Sequence, residues 1–246
     1  MNSRRLFVVS VPAIAIIAIF VFVAWKVMAP PETVPVDSIA EKPYYQNPAL
    51  LKRAWDLPVA RRYKTDFQYQ INAAFCGPAT LINLLASLGD KGEYTQETIF
   101  EKSGVGYWKA RILGLTLDEM AQLIQDNRPD LQVTVLRDLT LAEFRKLLPQ
   151  TNDTRYRYLI NFQRAPLFGV VVGHHSPIGG YLADQDLVFV LDVLSDYQPF
   201  LVPSERLFEA MNTVDSETKK KRGLLRVEMP QTSELHAGTE VKVSAW

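Results

Sequence analysis

Cys76 is the only cysteine in the chain, and it lies in the segment Gln70-Ile71-Asn72-Ala73-Ala74-Phe75-Cys76-Gly77-Pro78. Gln70 lies upstream of it; His174 and then Asp192 follow far downstream, each at or inside an apolar run. These four types in this order can carry thiol acyl-transfer chemistry. A free thiol, with a reference pKa of about 8.5, is only a few per cent thiolate at neutral pH. A helix N-terminus and a neighbouring imidazolium lower that pKa and supply the nucleophile. His174 would take the thiol proton and return it to a leaving amine. Asp192 would orient the imidazole and stabilise its cation. The Gln70 side-chain NH2 and the Cys76 backbone N–H would bind a developing oxyanion.

Each of these residues also has a plainer reading. An isolated cysteine before a helix is commonly a small buried apolar group. A histidine at a strand end is commonly structural. An aspartate within Val188-Phe189-Val190-Leu191-Asp192-Val193 is harder to dismiss, because a buried carboxylate needs a partner. The four together favour catalysis.

The elements that must position them follow from the pattern. Leu81, Ile82, Leu85 and Leu88 share one face of a helix predicted over Pro78–Leu88, with Pro78 in its first turn and Gly89 as its stop. Further helices are expected after Thr95, Thr116, Thr140 and Ser204; Thr116 with Glu119 and Thr140 with Glu143 fit capping boxes. Strands are expected at Leu131–Leu136, Tyr156–Phe162, Phe168–His174, Leu187–Val193 and Gly223–Glu228. Asp184-Gln185-Asp186 would turn the His strand into the Asp strand, so that their side chains meet. Helices come first and strands cluster late, which predicts an α+β domain with a Cys-bearing helix packed on an antiparallel sheet.

Gly173-His174-His175-Ser176-Pro177-Ile178-Gly179-Gly180-Tyr181 closely resembles the Gly-His-Phe-Ser-Pro-Ile-Gly-Gly-Tyr stretch of phytochelatin synthases. Val190-Leu191-Asp192-Val193 resembles their Ile-Leu-Asp-Val, and Phe67-Gln68-Tyr69-Gln70 with Phe75-Cys76-Gly77 resembles their segment around the nucleophile. Leu207-Phe208-Glu209-Ala210-Met211 and Lys221-Arg222-Gly223 resemble the end of their catalytic domain. The resemblance covers roughly residues 45–228. It implies a papain-like fold and a glutathione γ-glutamylcysteinyltransferase. Cys76 would attack the Cys-Gly bond of glutathione, glycine would leave, and a γ-Glu-Cys acyl-enzyme would pass its acyl group to water or a second glutathione. No tightly bound cofactor is implied; a divalent metal such as Cd2+ or Zn2+ would enter as a glutathione thiolate complex.

Two departures stand out. Where synthases carry Arg and Lys after Asp-Val, this chain reads Leu194-Ser195-Asp196, with no cation, which favours water as acceptor. The Cys-rich C-terminal region of eukaryotic members has no counterpart, since Cys76 is alone. At His175 the plant enzymes carry Phe; strand alternation lets only one of His174 and His175 face Cys76, and the resemblance assigns His174. The pair makes no metal site, because neighbouring strand side chains diverge and no third ligand is evident.

The chain of 246 residues, 48% apolar and with zero net charge, supports one globular core and shows no nucleic-acid footprint. Lys219-Lys220-Lys221-Arg222 reads as a solvated turn. Leu6–Trp25 is a continuous apolar stretch of bilayer-spanning length behind Arg4 and Arg5. Residues 1–29 are therefore expected to be a membrane anchor, with a cleaved signal as the alternative, and 30–48 a Pro-rich linker. The catalytic domain would occupy 49–229 and a polar tail 230–246. This organisation predicts anchoring in a bacterial inner membrane with the domain in the periplasm. A papain-like peptidase with another peptide substrate, or a membrane-tethered binding domain without activity, are the competing functions. The sequence says nothing of oligomeric state.

Overall fold

The computed structural model describes residues 30–229. Its helices are α1 (Pro48–Trp55), α2 (Ala60–Tyr63), α3 (Cys76–Ser87), α4 (Tyr107–Leu113), α5 (Leu117–Asn127), α6 (Leu141–Leu147), α7 (Ala165–Phe168) and α8 (Ser204–Met211). Its strands are β1 (Gln132–Leu136), β2 (Tyr156–Gln163), β3 (Gly173–Leu182), β4 (Leu187–Val190), β5 (Phe200–Pro203) and β6 (Gly223–Glu228). They form one sheet in the order β1-β6-β2-β3-β4-β5, with every pair antiparallel.

Alternation along the strands separates two cores. Leu159, Leu225 and Val227 face α3 and α5, while Ile160, Phe162, Ile178, Val188 and Val190 face α6 and α8. The domain is therefore α+β with both sheet faces covered, and the Cys-bearing helix packs on one of them. Both predicted capping boxes form, Thr116 with Glu119 and Thr140 with Glu143.

Differences from the sequence pattern have local causes. The helix expected from Pro78 begins at Cys76 itself, because Pro78 is tolerated anywhere in the first turn. The helix is also buried almost all round rather than on one face, with Thr80, Asn83 and Ser87 in the interior. The expected strand Phe168–His174 does not form at its start: Ala165–Phe168 is a helical turn closed by Gly169 in the left-handed region (φ 77°), and β3 then runs from Gly173 to Leu182. β4 stops at Val190, so Asp192 lies just past the ladder. The stretch after Thr95 makes only a 3-10 turn at Thr98–Phe100.

The segment expected to be a linker is part of the domain from Thr33 onward. Thr33 pairs with Val170, Val34 N donates to Gly169 O at 2.7 Å, and Ile39 is fully buried. Among the described residues no helix is long and apolar enough to cross a membrane; the apolar stretch Leu6–Trp25 and the tail 230–246 lie outside them.

Candidate active site

Cys76 is the first residue of α3, where the dipole is positive and backbone N–H groups lack intrahelical acceptors. Phe75 provides no side-chain cap and the first turn holds no acid, so nothing in the helix quenches that end. Leu115 packs closely on Gly77: a Cβ there would stand 2.7 Å from Leu115 Cδ1, so a larger residue would make that side chain shift.

The segment before Cys76 is fixed from three sides. Asn83, on α3, accepts from Gln68 N at 2.8 Å and donates to Gln68 O at 2.8 Å. Gln96 donates to Tyr69 O at 2.8 Å and accepts from Ile71 N at 3.2 Å. Between them, Gln70 N donates to Val193 O at 2.8 Å. Val193 packs on Cys76 and Ala79, so Gln70 is pinned to a residue that touches the nucleophile. Its side-chain Nε2 donates to Asn72 O at 2.9 Å, and its Oε1 is buried without a partner. The bond to Asn72 O uses one of the two N–H groups of that amide.

His174 and Asp192 meet as the hairpin predicts, with His174 Nε2 3.0 Å from Asp192 Oδ1 and both side chains buried. The Asp184–Asp186 turn allows this, with Asp186 in the left-handed region at φ 50°. Because Nε2 faces the carboxylate, Nδ1 is the ring nitrogen left for the thiol, and Cys76 lies close enough to this imidazole for each to shift the other's ionisation. Three of the four predicted site residues thus form a continuous chain, and Gln70 stands beside it.

Arg164 and the backbone of Leu194, neither of which the sequence pattern placed on Asp192, complete the surroundings of that carboxylate. Arg164 Nη2 donates to Asp192 Oδ1 at 2.9 Å and Oδ2 at 2.7 Å, and Leu194 N donates to Oδ1 at 2.8 Å. The Arg164 guanidinium lies 3.8 Å from the Tyr197 ring centroid, a cation–π contact. The only sequence signal for it is an arginine at the end of an apolar strand, before Ala-Pro.

The environment sets the ionisation states. Burial pushes the Cys76 thiol up, but the hydrogen bond and charge of His174, the backbone N–H of His175 and the charge of Arg164 outweigh it; the net direction is down. Burial and the Arg164 charge pull His174 down, yet the Asp192 carboxylate and the thiol raise it above the usual imidazole range. Burial raises Asp192, and His174 with Arg164 overcome this to hold it below the usual carboxylate range. Thiol down and imidazole up is the condition for a thiolate–imidazolium pair.

His175 points away from its neighbour. Its Nε2 lies 2.9 Å from Leu115 O and 2.9 Å from Asn161 Nδ2. Of the basic run, Lys219 and Lys220 are exposed, as a solvated turn requires, but Arg222 is buried. It donates to Asp215 Oδ2 at 2.6 Å and Asn161 Oδ1 at 3.1 Å.

The chain is similar to curated proteins named glutathione gamma-glutamylcysteinyltransferase. Number 3 from Lotus japonicus is 33% identical over 168 residues, covering 65% of this chain and 35% of that protein. Number 2 from Arabidopsis thaliana is 29% identical over 183 residues, covering 67% and 38%. The chain thus spans little more than a third of the length of these relatives. Among solved structures, a putative C39-like peptidase from Bacillus anthracis aligns at 14% identity over 69% of this chain and 96% of that one, with a TM-score of 0.47. The phytochelatin synthase family model matches residues 44–224, which include Gln70, Cys76, Arg164, His174 and Asp192, and the chain belongs to that family.

Proposed function

We propose that the protein is a thiol acyltransferase that cleaves the Cys-Gly bond of glutathione or its conjugates. The observation that carries this reading is the Cys76–His174–Asp192 chain at the uncapped end of α3, in a chain whose relatives are named for this transfer. The Cys76 thiolate adds to the cysteinyl carbonyl carbon, and the carbonyl oxygen takes the negative charge. The Cys76 N–H and the free Gln70 N–H stabilise that oxygen. The C–N bond then breaks, the His174 proton goes to the glycine amine, and a γ-Glu-Cys thioester remains on Cys76. Neutral His174 next takes a proton from the acceptor, whose oxygen or nitrogen displaces the sulfur. Asp192 stays ionised throughout, held by Arg164 and Leu194 N.

Water is the favoured acceptor, giving glycine and γ-Glu-Cys. Leu194-Ser195-Asp196 offers no cation, and Arg164, Arg157 and Lys109, the cations that could take over the clamping of a second glutathione, are engaged elsewhere. Arg164 is buried on Asp192, Arg157 is buried on Ser87 and the Thr154 and Tyr156 carbonyls, and Lys109 pairs with Glu119 and Glu217. Anchoring through Leu6–Trp25, with the domain outside the cytoplasm, fits turnover of external glutathione. The test is to incubate the full chain with glutathione, with and without Cd2+, and identify the products by mass spectrometry. Glycine release that depends on Cys76 supports the reading. No glycine release under either condition, with the protein folded, overturns it and favours a peptidase with another substrate.

A further inference from the structure

His175 is buried, lies outside the proton path, and stands where the plant enzymes carry Phe. Three contacts give it a place in the site. Its backbone N–H is near enough to the Cys76 thiol to help lower it. Its ring reaches Leu115 O at 2.9 Å. Leu115 in turn covers the first turn of α3, its side chain packed directly on Gly77. Gly114 ends α4 in the left-handed region at φ 78°, and without the ring Leu115 O would be buried with no donor.

Both Leu115 O, which can only accept, and Asn161 Nδ2, which can only donate, lie 2.9 Å from Nε2; the bond to Leu115 O needs the proton on Nε2 and Nδ1 bare, and it leaves Asn161 Nδ2 to the His174 carbonyl. Nδ1 is buried and unpartnered, and a bare acceptor there is tolerated better than a stranded N–H. Burial draws His175 down to about 4, so the ring is neutral at neutral pH. Asn161 backs it on β2: Nδ2 donates to His174 O at 3.3 Å, and Oδ1 is held by Arg222.

We propose that His175 is a positioning residue: by tying β3 to Leu115 O it holds its own backbone N–H on the Cys76 sulfur and keeps the Leu115 wall against the start of the nucleophile helix. This rests on reading Cys76 as the nucleophile. It makes the side chain next to the general base a brace for the sulfur, through a hydrogen bond that Phe cannot make.

The test compares His175→Phe, which keeps a ring and removes the donor, with His175→Gln, whose Nε2 can still reach Leu115 O. The first readout is the pH dependence of Cys76 alkylation by iodoacetamide in the full chain. Cys76 is the only thiol and no substrate is needed, so this readout stands whether or not glutathione is turned over. The midpoint in His175→Phe is expected to rise by about one unit, with His175→Gln near the parent. The second readout is glutathione turnover, where His175→Phe should lose on the order of 10-fold in kcat with little change in KM. An unchanged alkylation midpoint in a folded His175→Phe overturns the proposal. So does a Gln variant shifted as far as the Phe variant, since packing alone would then account for both. If His175→Phe does not fold, His175→Met supplies the same donor-free comparison.

Discussion

Arg164 grips both oxygens of Asp192, at 2.9 and 2.7 Å, while His174 shares one of them at 3.0 Å. One buried carboxylate therefore balances two potential cations. A thiolate–imidazolium form of the site holds two positive and two negative charges, so it buries no net charge. The arginine also keeps Asp192 from taking up the imidazolium proton, which preserves its role as an ionised orienter.

Asp192→Asn is expected to do more than slow the chemistry. It leaves the Arg164 charge buried without a counter-ion, which costs roughly 3–5 kcal/mol of stability when one partner of a buried pair is removed. Arg164→Met should cost a similar amount, and the double variant less than the sum of the two, as measured by denaturant unfolding. Additive losses would show that the two side chains are not energetically coupled. The same pair sets an acid limit. Asp192 is held below its ordinary value of 3.8, so its contribution is present above that pH and is lost as pH falls through the lower folded value.

The activity profile should be a broad bell. The acid limb reports formation of the thiolate pair and falls below the ordinary thiol range, because Cys76 is lowered. The alkaline limb reports loss of the His174 proton and lies above the ordinary imidazole value of 6.5, because His174 is raised. Steady-state kcat/KM against pH, paired with Cys76 alkylation, checks both limbs. An acid limb sitting at the ordinary thiol value would contradict the ion pair.

Gln70→Ala should lower turnover by on the order of 10²–10³ while leaving the alkylation midpoint of Cys76 in place. The backbone at Gln70 is held by Val193 and its neighbours by Asn83 and Gln96, so the truncation should not move the segment. An equal loss of alkylation and turnover would assign Gln70 a structural role instead.

The site was legible in the sequence where chemistry restricts residue choice. Cys76, His174 and Asp192 are separated widely along the chain, yet their order, the Asp184–Asp186 turn and the family resemblance of the His174 segment together point to their meeting. The capping boxes were readable because their hydrogen bonds are local. Arg164, Asn83 and Gln96 were not, because their partners lie 28, 15 and 25–27 residues away and nothing in their neighbourhoods marks them. The apolar run Phe168–His174 read as a strand, but Arg164 N bonds to Val172 O and closes the helical turn that displaces it. Short helices such as α4, half exposed and weakly periodic, left no signal strong enough to predict.

The last prediction concerns the acyl acceptor. Water needs no orienting cation, whereas a second glutathione must be held with its amine at the thioester, and such orientation can supply several kcal/mol of a two-substrate barrier, roughly 7–11 in the best cases. The segment just after Asp192 is placed to provide or withhold that hold: Leu194 N is bonded to the Asp192 carboxylate, and Ser195 and Asp196 are exposed beside it. None of the three is cationic, and Arg157, Arg164 and Lys109 are all engaged. At modest glutathione concentration, free γ-Glu-Cys and glycine should dominate, and phytochelatin oligomers should be minor. Installing the missing charges with Leu194→Arg and Ser195→Lys should raise the fraction of oligomeric product, because the thioester is shared by both routes and only its partition changes. Glycine release should change far less than the ratio of oligomer to γ-Glu-Cys, both read in one mass spectrum. Oligomers as the main product of the parent chain, or a doubly substituted chain with an unaltered ratio, would place acceptor choice elsewhere in the site.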